Sequence, residues 1–337
     1  MKIAIIGNSS IGGGYLRAQA FKKFLESRNN QVDLILCPDE GVASRIAFYY
    51  QRARARIKGH EKQYYNKTAD QLEKRIKAQR YDVVIGVEAP FSYVLTRELG
   101  CLKIFCCETL EADELYFSQK FDNFERIRDL REMEIELFTK SDYVIFPWVT
   151  TENYARKHVW DGNNFVTIKF GCYPKEKPVS YFFPFSIVSL GSLRGYWADK
   201  ELLSYLTRIS TYRIDAYGKS RPSRKYHINY KGYAPTLDVF YDYQFGLETV
   251  PRWVFRLHSS RIMSYLAYGL PVLSPAWMNF SHELKGVLPY NEDNFLTLLE
   301  EHSDRERWER LSEEAYEQAR ELDWSITLRP LEKLIEK

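Results

Sequence analysis

Residues able to hold an anion are concentrated between positions 256 and 275. Arg256, His258 and Arg261 surround Ser259 and Ser260, and either serine can cap a helix that runs on through 261–268. The free N–H groups and dipole at such a helix start favour an anion, and a nucleotide diphosphate suits that chemistry. Gly269 ends the helix and Pro271 enters an apolar strand, LPVLSP (270–275). A second group is acidic. Glu88 directly follows the apolar run YDVVIGV (81–87), and Glu108 directly follows LKIFCC (102–107), with Glu111, Asp113 and Glu114 soon after. A carboxylate on a loop just past a strand can take the proton of a hydroxyl. A third group is Gly12, Gly13 and Gly14, which permit close backbone approach in a tight turn.

Alternating strands and helices must position these groups. KIAIIG (2–7), a glycine-rich turn, an amphipathic stretch over 16–27 and VDLILCP (32–38) form a βαβ unit, which implies a parallel sheet with a right-handed crossover. The pattern continues with a long polar helix over 43–79, strand 81–87, helix 92–99 and strand 102–107. Helix 123–140 and strands 142–147 and 165–171 complete one doubly wound domain. Pro174, Pro178 and Pro184 read as a linker. A second series follows: strand 185–192, helix 199–208, strands 212–218 and 227–233, and a short helix over 236–241. YQFGLE (243–248), helix 260–268, strand 270–275 and helices 303–322 and 328–336 finish it. The expected boundaries are 1–172 for the first Rossmann-like domain, 173–184 for the linker, 185–320 for the second, and 321–337 for a closing helix. A cleft between two such domains is the expected ligand site.

Composition narrows the classes. The chain has 337 residues, 45% hydrophobic and 28% charged, with a net charge of +3, too mild to argue for nucleic acid. Positive charge does collect over 45–80, where a basic helical face could meet anionic lipid at the inner membrane face. Five scattered cysteines without metal spacing read as reduced thiols of a cytoplasmic protein. No apolar run approaches the ~18–20 residues of a spanning helix.

The run Arg261, Ser264-Tyr265-Leu266-Ala267, Gly269-Leu270-Pro271-Val272 resembles the signature of GT-B glycosyltransferases of family 4 and its relatives. GNSSIGGGY (7–15) resembles their N-terminal glycine-rich turn, and VSLGSLRGYWADKELL (188–203) the opening of their C-terminal domain. AYGKS (216–220) and YKGYAP (230–235) resemble the nucleotide-holding strand ends, and 321–335 the closing helix that often crosses back to the first domain. The resemblance implies two Rossmann-like domains facing a cleft and transfer of a sugar from a nucleoside diphosphate to a glycan, lipid-linked or small-molecule acceptor. It places the acceptor in the first domain and the donor in the second. Retaining members often carry two Glu residues separated by seven others; the matching positions here are Arg256 and Ser264. Glu248 lies nearby and is a candidate replacement.

Under that resemblance the leaving diphosphate must be met by cations or N–H groups. Arg194, Lys219 and Arg261 are the expected cations, with backbone N–H groups at Gly191–Ser192 and Ser259–Ser260, and Tyr233 beside the nucleobase. No metal or cofactor is required beyond the nucleotide-sugar donor. If the reaction inverts the anomeric centre, Glu108 and then Glu88 are the expected bases. Three other classes stay open. A dehydrogenase fits poorly, since Ser9 holds the middle glycine position of G-x-G-x-x-G. A sugar-nucleotide epimerase would share the fold, and a non-catalytic sugar- or partner-binding protein would explain the missing Glu pair.

Overall fold

A computed structural model describes residues 1–8, 12–37, 50–51, 53–55, 61–118, 124–191, 193, 198–208, 212–254 and 259–336. The chain divides into two compact units, Met1–Lys169 with Thr327–Lys337, and Phe170–Ile326.

The first unit is built on strands β1 (Lys2–Asn8), β2 (Gln31–Cys37), β3 (Val83–Val87), β4 (Leu102–Cys106), β5 (Tyr143–Phe146) and β6 (Phe165–Thr167). They lie in the order β2-β1-β3-β4-β5-β6, all parallel. Ile3, Ala4, Ile5 and Ile6 are fully buried, as a strand covered on both faces requires. Helix α1 (Gly13–Glu26) lays Ala18, Phe21 and Leu25 on the sheet, each fully buried. Burial of each large side chain stabilises by ~1.5–3 kcal/mol. Helices α2 (Glu61–Gln79), α3 (Glu111–Phe117), α4 (Phe124–Lys140) and α5 (Val149–His158) complete the layers. Two expectations change here. Residues 92–99 form not an α-helix but a 3₁₀ turn, Phe91–Thr96, and the acids after Glu108 open a helix, α3, rather than a loop.

The second unit has strands β7 (Ser186–Leu190), β8 (Arg213–Tyr217), β9 (Asn229–Gly232), β10 (Phe245–Leu247), β11 (Val272–Pro275) and β12 (Val287–Tyr290). Their order is β12-β11-β10-β7-β8-β9, again all parallel. Helices α6 (Lys200–Arg208), α7 (Ser260–Leu266), α8 (Phe295–Glu301), α9 (Arg305–Glu321) and α10 (Trp324–Thr327) follow, and α11 (Arg329–Ile335) belongs to the first unit. Each unit is therefore a doubly wound, Rossmann-like sheet. Each has a topological switch point, where successive crossovers leave one strand in opposite directions: between β1 and β3, and between β7 and β10. Ligands of such sheets bind outside the carboxyl ends of the strands at that point.

The proline-rich run is fastened along the second unit. Lys175 N–H donates to Ala267 O at 2.8 Å and Val179 N–H to Tyr268 O at 2.8 Å. The Tyr181 hydroxyl donates to Ser303 O at 3.0 Å.

Candidate functional site

In the second unit the switch point is locked from one helix. α7 carries Arg261 and Tyr265, four residues apart and so on one face. The Tyr265 hydroxyl accepts the Leu190 N–H at 2.7 Å, while Arg261 Nη1 donates to Leu190 O at 3.2 Å. Both backbone groups at the end of β7 are thus held by side chains of α7. Burial pushes the Tyr265 phenol up, so it stays a neutral hydroxyl. Gly246 makes room for it: a Cβ there would lie 2.4 Å from the Tyr265 ring.

The chain then turns through Gly191, whose φ of +105° lies in the left-handed region. A Cβ on Gly191 would approach Arg261 Cδ to 3.2 Å, and one on Gly218 would strike Gly191 O at 2.3 Å. The Gly191 N–H donates to Tyr217 O at 2.8 Å. Two glycines thus bring the ends of β7 and β8 together.

Glu248, the residue after β10, is completely buried. Its Oε1 lies 2.9 Å from Arg261 Nη2 and accepts the Thr249 N–H at 3.0 Å; its Oε2 accepts the Ser259 hydroxyl. This corrects the capping expectation. Ser259 stands at the N-cap of α7 without a side-chain cap bond, because its hydroxyl is turned to Glu248. α7 is also shorter than expected, ending at Leu266. Glu248 does not offer a free carboxylate, and it matches the charge of Arg261.

Lys219 lies two residues past β8 and is exposed; Tyr233 follows β9 and is 58% exposed. Gly191, Lys219, Tyr233, Ser259, Ser260 and Arg261 therefore gather at the carboxyl ends of β7–β10. Ser264, at one of the two Glu positions, donates its hydroxyl to Ser260 O at 2.9 Å. Ser192, Arg194, Arg256 and His258 lie outside the described residues.

The first unit's switch point holds Glu88. It follows β3 with φ +69°, unusual for a side-chain-bearing residue. Its backbone is pinned: its N–H donates to Cys106 O at 3.1 Å, and its carbonyl accepts the Ser92 hydroxyl at 2.6 Å. The carboxylate reaches the start of α1, where it accepts the Gly14 N–H and, at 3.4 Å, the Asn8 amide. A Cβ at position 14 would lie 2.3 Å from Glu88 Oε1, so any side chain there would displace the carboxylate. Burial, with Glu111 and Glu108 nearby, pushes the Glu88 carboxyl up to about 8 despite these donors. Gly12 is extended at the N-cap of α1 and Gly13 is its first residue.

Glu108 is differently placed. It is 2% exposed, 3.2 Å from the fully buried Arg17 Nε, and accepts the Cys106 thiol at 3.0 Å. Glu108 is thus enclosed and paired, whereas the Glu88 carboxylate reaches the glycine turn. Sequence reasoning passed over Asn8, Arg17 and Tyr265. Asn8 sat beside the glycine turn, and Tyr265 stood inside the quoted signature; neither carried a spacing signal for its contact.

No protein-family model matches the chain, and a comparison with curated proteins finds no match. Solved structures do resemble it over its whole length. Sucrose-phosphate synthase from Thermosynechococcus elongatus superposes with a TM-score of 0.74 at 13% identity, covering 100% of this chain and 98% of that one. Anabaena HepE in complex with UDP-glucose gives 0.69 at 12% identity, covering 100% of both chains. S. aureus MnaA in a co-structure with UDP gives 0.58 at 12% identity, covering 99% of this chain and 96% of that one. The fold is that of the GT-B glycosyltransferases.

Proposed function

We propose that the chain is a glycosyltransferase that takes a sugar from a nucleoside diphosphate and passes it to a hydroxyl of a glycan, lipid-linked or small-molecule acceptor. The observation that carries this reading is the Gly191 turn, held by Arg261 and Tyr265 at the switch point of a Rossmann-like unit. Relatives in fold that are titled as complexes with UDP or UDP-glucose support it. In this reading the diphosphate lies against the backbone at Gly191 and the start of α7, with Lys219 meeting the charge that develops on the leaving group. Arg261 acts with Glu248 as a rigid unit that shapes the turn. Tyr233 borders the base.

Glu88 takes the acceptor proton as the new glycosidic bond forms. That role goes with inversion at the anomeric carbon, because a single displacement needs one base for the incoming hydroxyl. A carboxyl titrating near 8 suits proton transfer close to neutral pH.

The test is thermal unfolding with UDP-, GDP-, ADP- and CDP-sugars. A ligand at ~100 times its Kd stabilises the folded state by about 2.7 kcal/mol. One of the four is expected to shift the transition; silence from all four would remove the reading. Release of nucleoside diphosphate only in the presence of an acceptor would separate transfer from epimerisation.

A further inference from the structure

Between Ala216 and Leu237 the chain carries Lys219, Arg221, Arg224, Lys225 and Lys231, and no Asp or Glu. All five cations are exposed. The run leaves the end of β8, crosses a loop and follows β9, the last strand on that side of the second sheet. Pro222 and Tyr226 are buried and fasten the loop, leaving the cations between and beside them in solvent. Lys231 comes within 4.0 Å of Asp215, but that carboxylate is already held by Arg213 at 2.6 Å. On α2 two of the five cations are matched by acids, and Glu61, Asp70 and Glu73 lie on the same helix. Lys62 lies 2.9 Å from Glu132 and 3.0 Å from Glu136, and Lys77 lies 2.7 Å from Glu73.

We propose that the run 221–231, with Arg221, Arg224, Lys225 and Lys231, is a docking surface for an anionic lipid bilayer. Each Lys or Arg beside an anionic leaflet contributes about 1 kcal/mol, and the attraction fades within a Debye length. Single-stranded nucleic acid would need a row of open ring faces instead. Here Tyr226 is buried under Lys225, whose Nζ stands 4.9 Å from the ring centre, and the Tyr230 hydroxyl is tied to Gly218 O at 2.8 Å. Of the 45–80 region, positions 45–49, 52 and 56–60 lie outside the described residues, and on α2 Lys62 and Lys77 are paired with acids. The proposal stands apart from the transfer reading, since docking is measured without turnover.

The experiment is co-sedimentation of the full chain with phosphatidylcholine vesicles, with and without phosphatidylserine. The wild type is expected to sediment only with the anionic vesicles and to be released by salt. A variant carrying Arg221→Gln, Arg224→Gln, Lys225→Gln and Lys231→Gln is expected to lose ~100-fold or more in partitioning. Its circular dichroism and unfolding midpoint, unchanged, would establish that it is folded. Lys67→Gln with Lys74→Gln and Arg75→Gln on α2 is expected to bind as the wild type does. Equal partitioning of the first variant, loss on the α2 variant alone, binding to neutral vesicles, or tighter capture of an oligonucleotide at the same salt would each overturn the proposal.

Discussion

Glu88 and Gly14 make the sharpest claims at the residue scale. Replacing Glu88 by Gln removes the proposed base while keeping the side chain's shape, and turnover is expected to fall ~10²–10⁴-fold. The wild-type rate should climb with pH through about 8, as the Glu88 carboxyl gives up its proton. In the Gln variant that rise should vanish; a residual rate with the same pH dependence would assign the titration to another group. Gly14→Ala tests the same site from the helix side. Its Cβ would occupy the carboxylate's place, 2.3 Å from Oε1, so Glu88 must move. We expect turnover to drop to the level of Glu88→Gln, with helix content unchanged by circular dichroism. Full activity in Gly14→Ala would show that the observed carboxylate position is not the working one. The sequence places Glu88 just past a strand, and that much was legible. Its positive φ and its seat on the Gly14 N–H were not, because they depend on β1, β3 and α1 meeting in space.

At the scale of elements, α7 acts as a clamp. Tyr265→Phe leaves the packing beside Gly246 intact but strips the Leu190 N–H of its partner. A buried donor left unsatisfied costs about 1–3 kcal/mol. Urea unfolding should register that loss, and donor KM should rise more than kcat falls, since the Gly191 turn loses one of its two anchors. An unchanged midpoint with unchanged KM would mean that the hydroxyl anchors nothing. Strongly patterned elements were legible: the apolar parallel strands and the helices with buried faces, such as α1 and α9, declare themselves by period. Others hid for identifiable reasons. α5, VTTENYARKH, buries only Thr151 and Ala155 and has little apolar periodicity. β12 contains Pro289, which reads as a strand breaker, yet it stands at the sheet edge, where a missing N–H is tolerated. Glu248 was visible as a neighbour of the signature. Its lock on Arg261 and Ser259 was not, because nothing in linear spacing reports a contact between a strand end and a helix start.

For the molecule as a whole, pH enters through buried acid. Glu134, on α4, is fully buried, accepts the Ala112 N–H at 3.2 Å and lies 3.2 Å from Arg131 Nη1. Burial outweighs the guanidinium and pushes its carboxyl up to about 8, as happens at Glu88. A raised carboxyl holds its proton more tightly in the folded than in the unfolded state. Its contribution to stability is therefore complete below the unfolded value of roughly 4.3 and is lost as pH rises through about 8. Unfolding midpoints measured from pH 5 to pH 9 should fall, and Glu134→Gln should flatten the decline. A profile that rises across that window would show that both carboxyls are ionised in the folded chain.

The passage of the chain from one unit to the other has a practical consequence. Residues 170–172 and 322–324 run side by side: Cys172 N–H donates to Leu322 O at 2.9 Å, Trp324 N–H donates to Cys172 O at 3.1 Å, and the Phe170 and Trp324 rings meet at 4.9 Å. Both strips, and the proline run after the first, belong to Phe170–Ile326. Anyone building chimaeras from this chain and a structural relative should splice at Lys169/Phe170 and again at Ile326/Thr327, so that the second unit travels as one cassette. A junction placed among the prolines would tear that cassette from its own backbone partners.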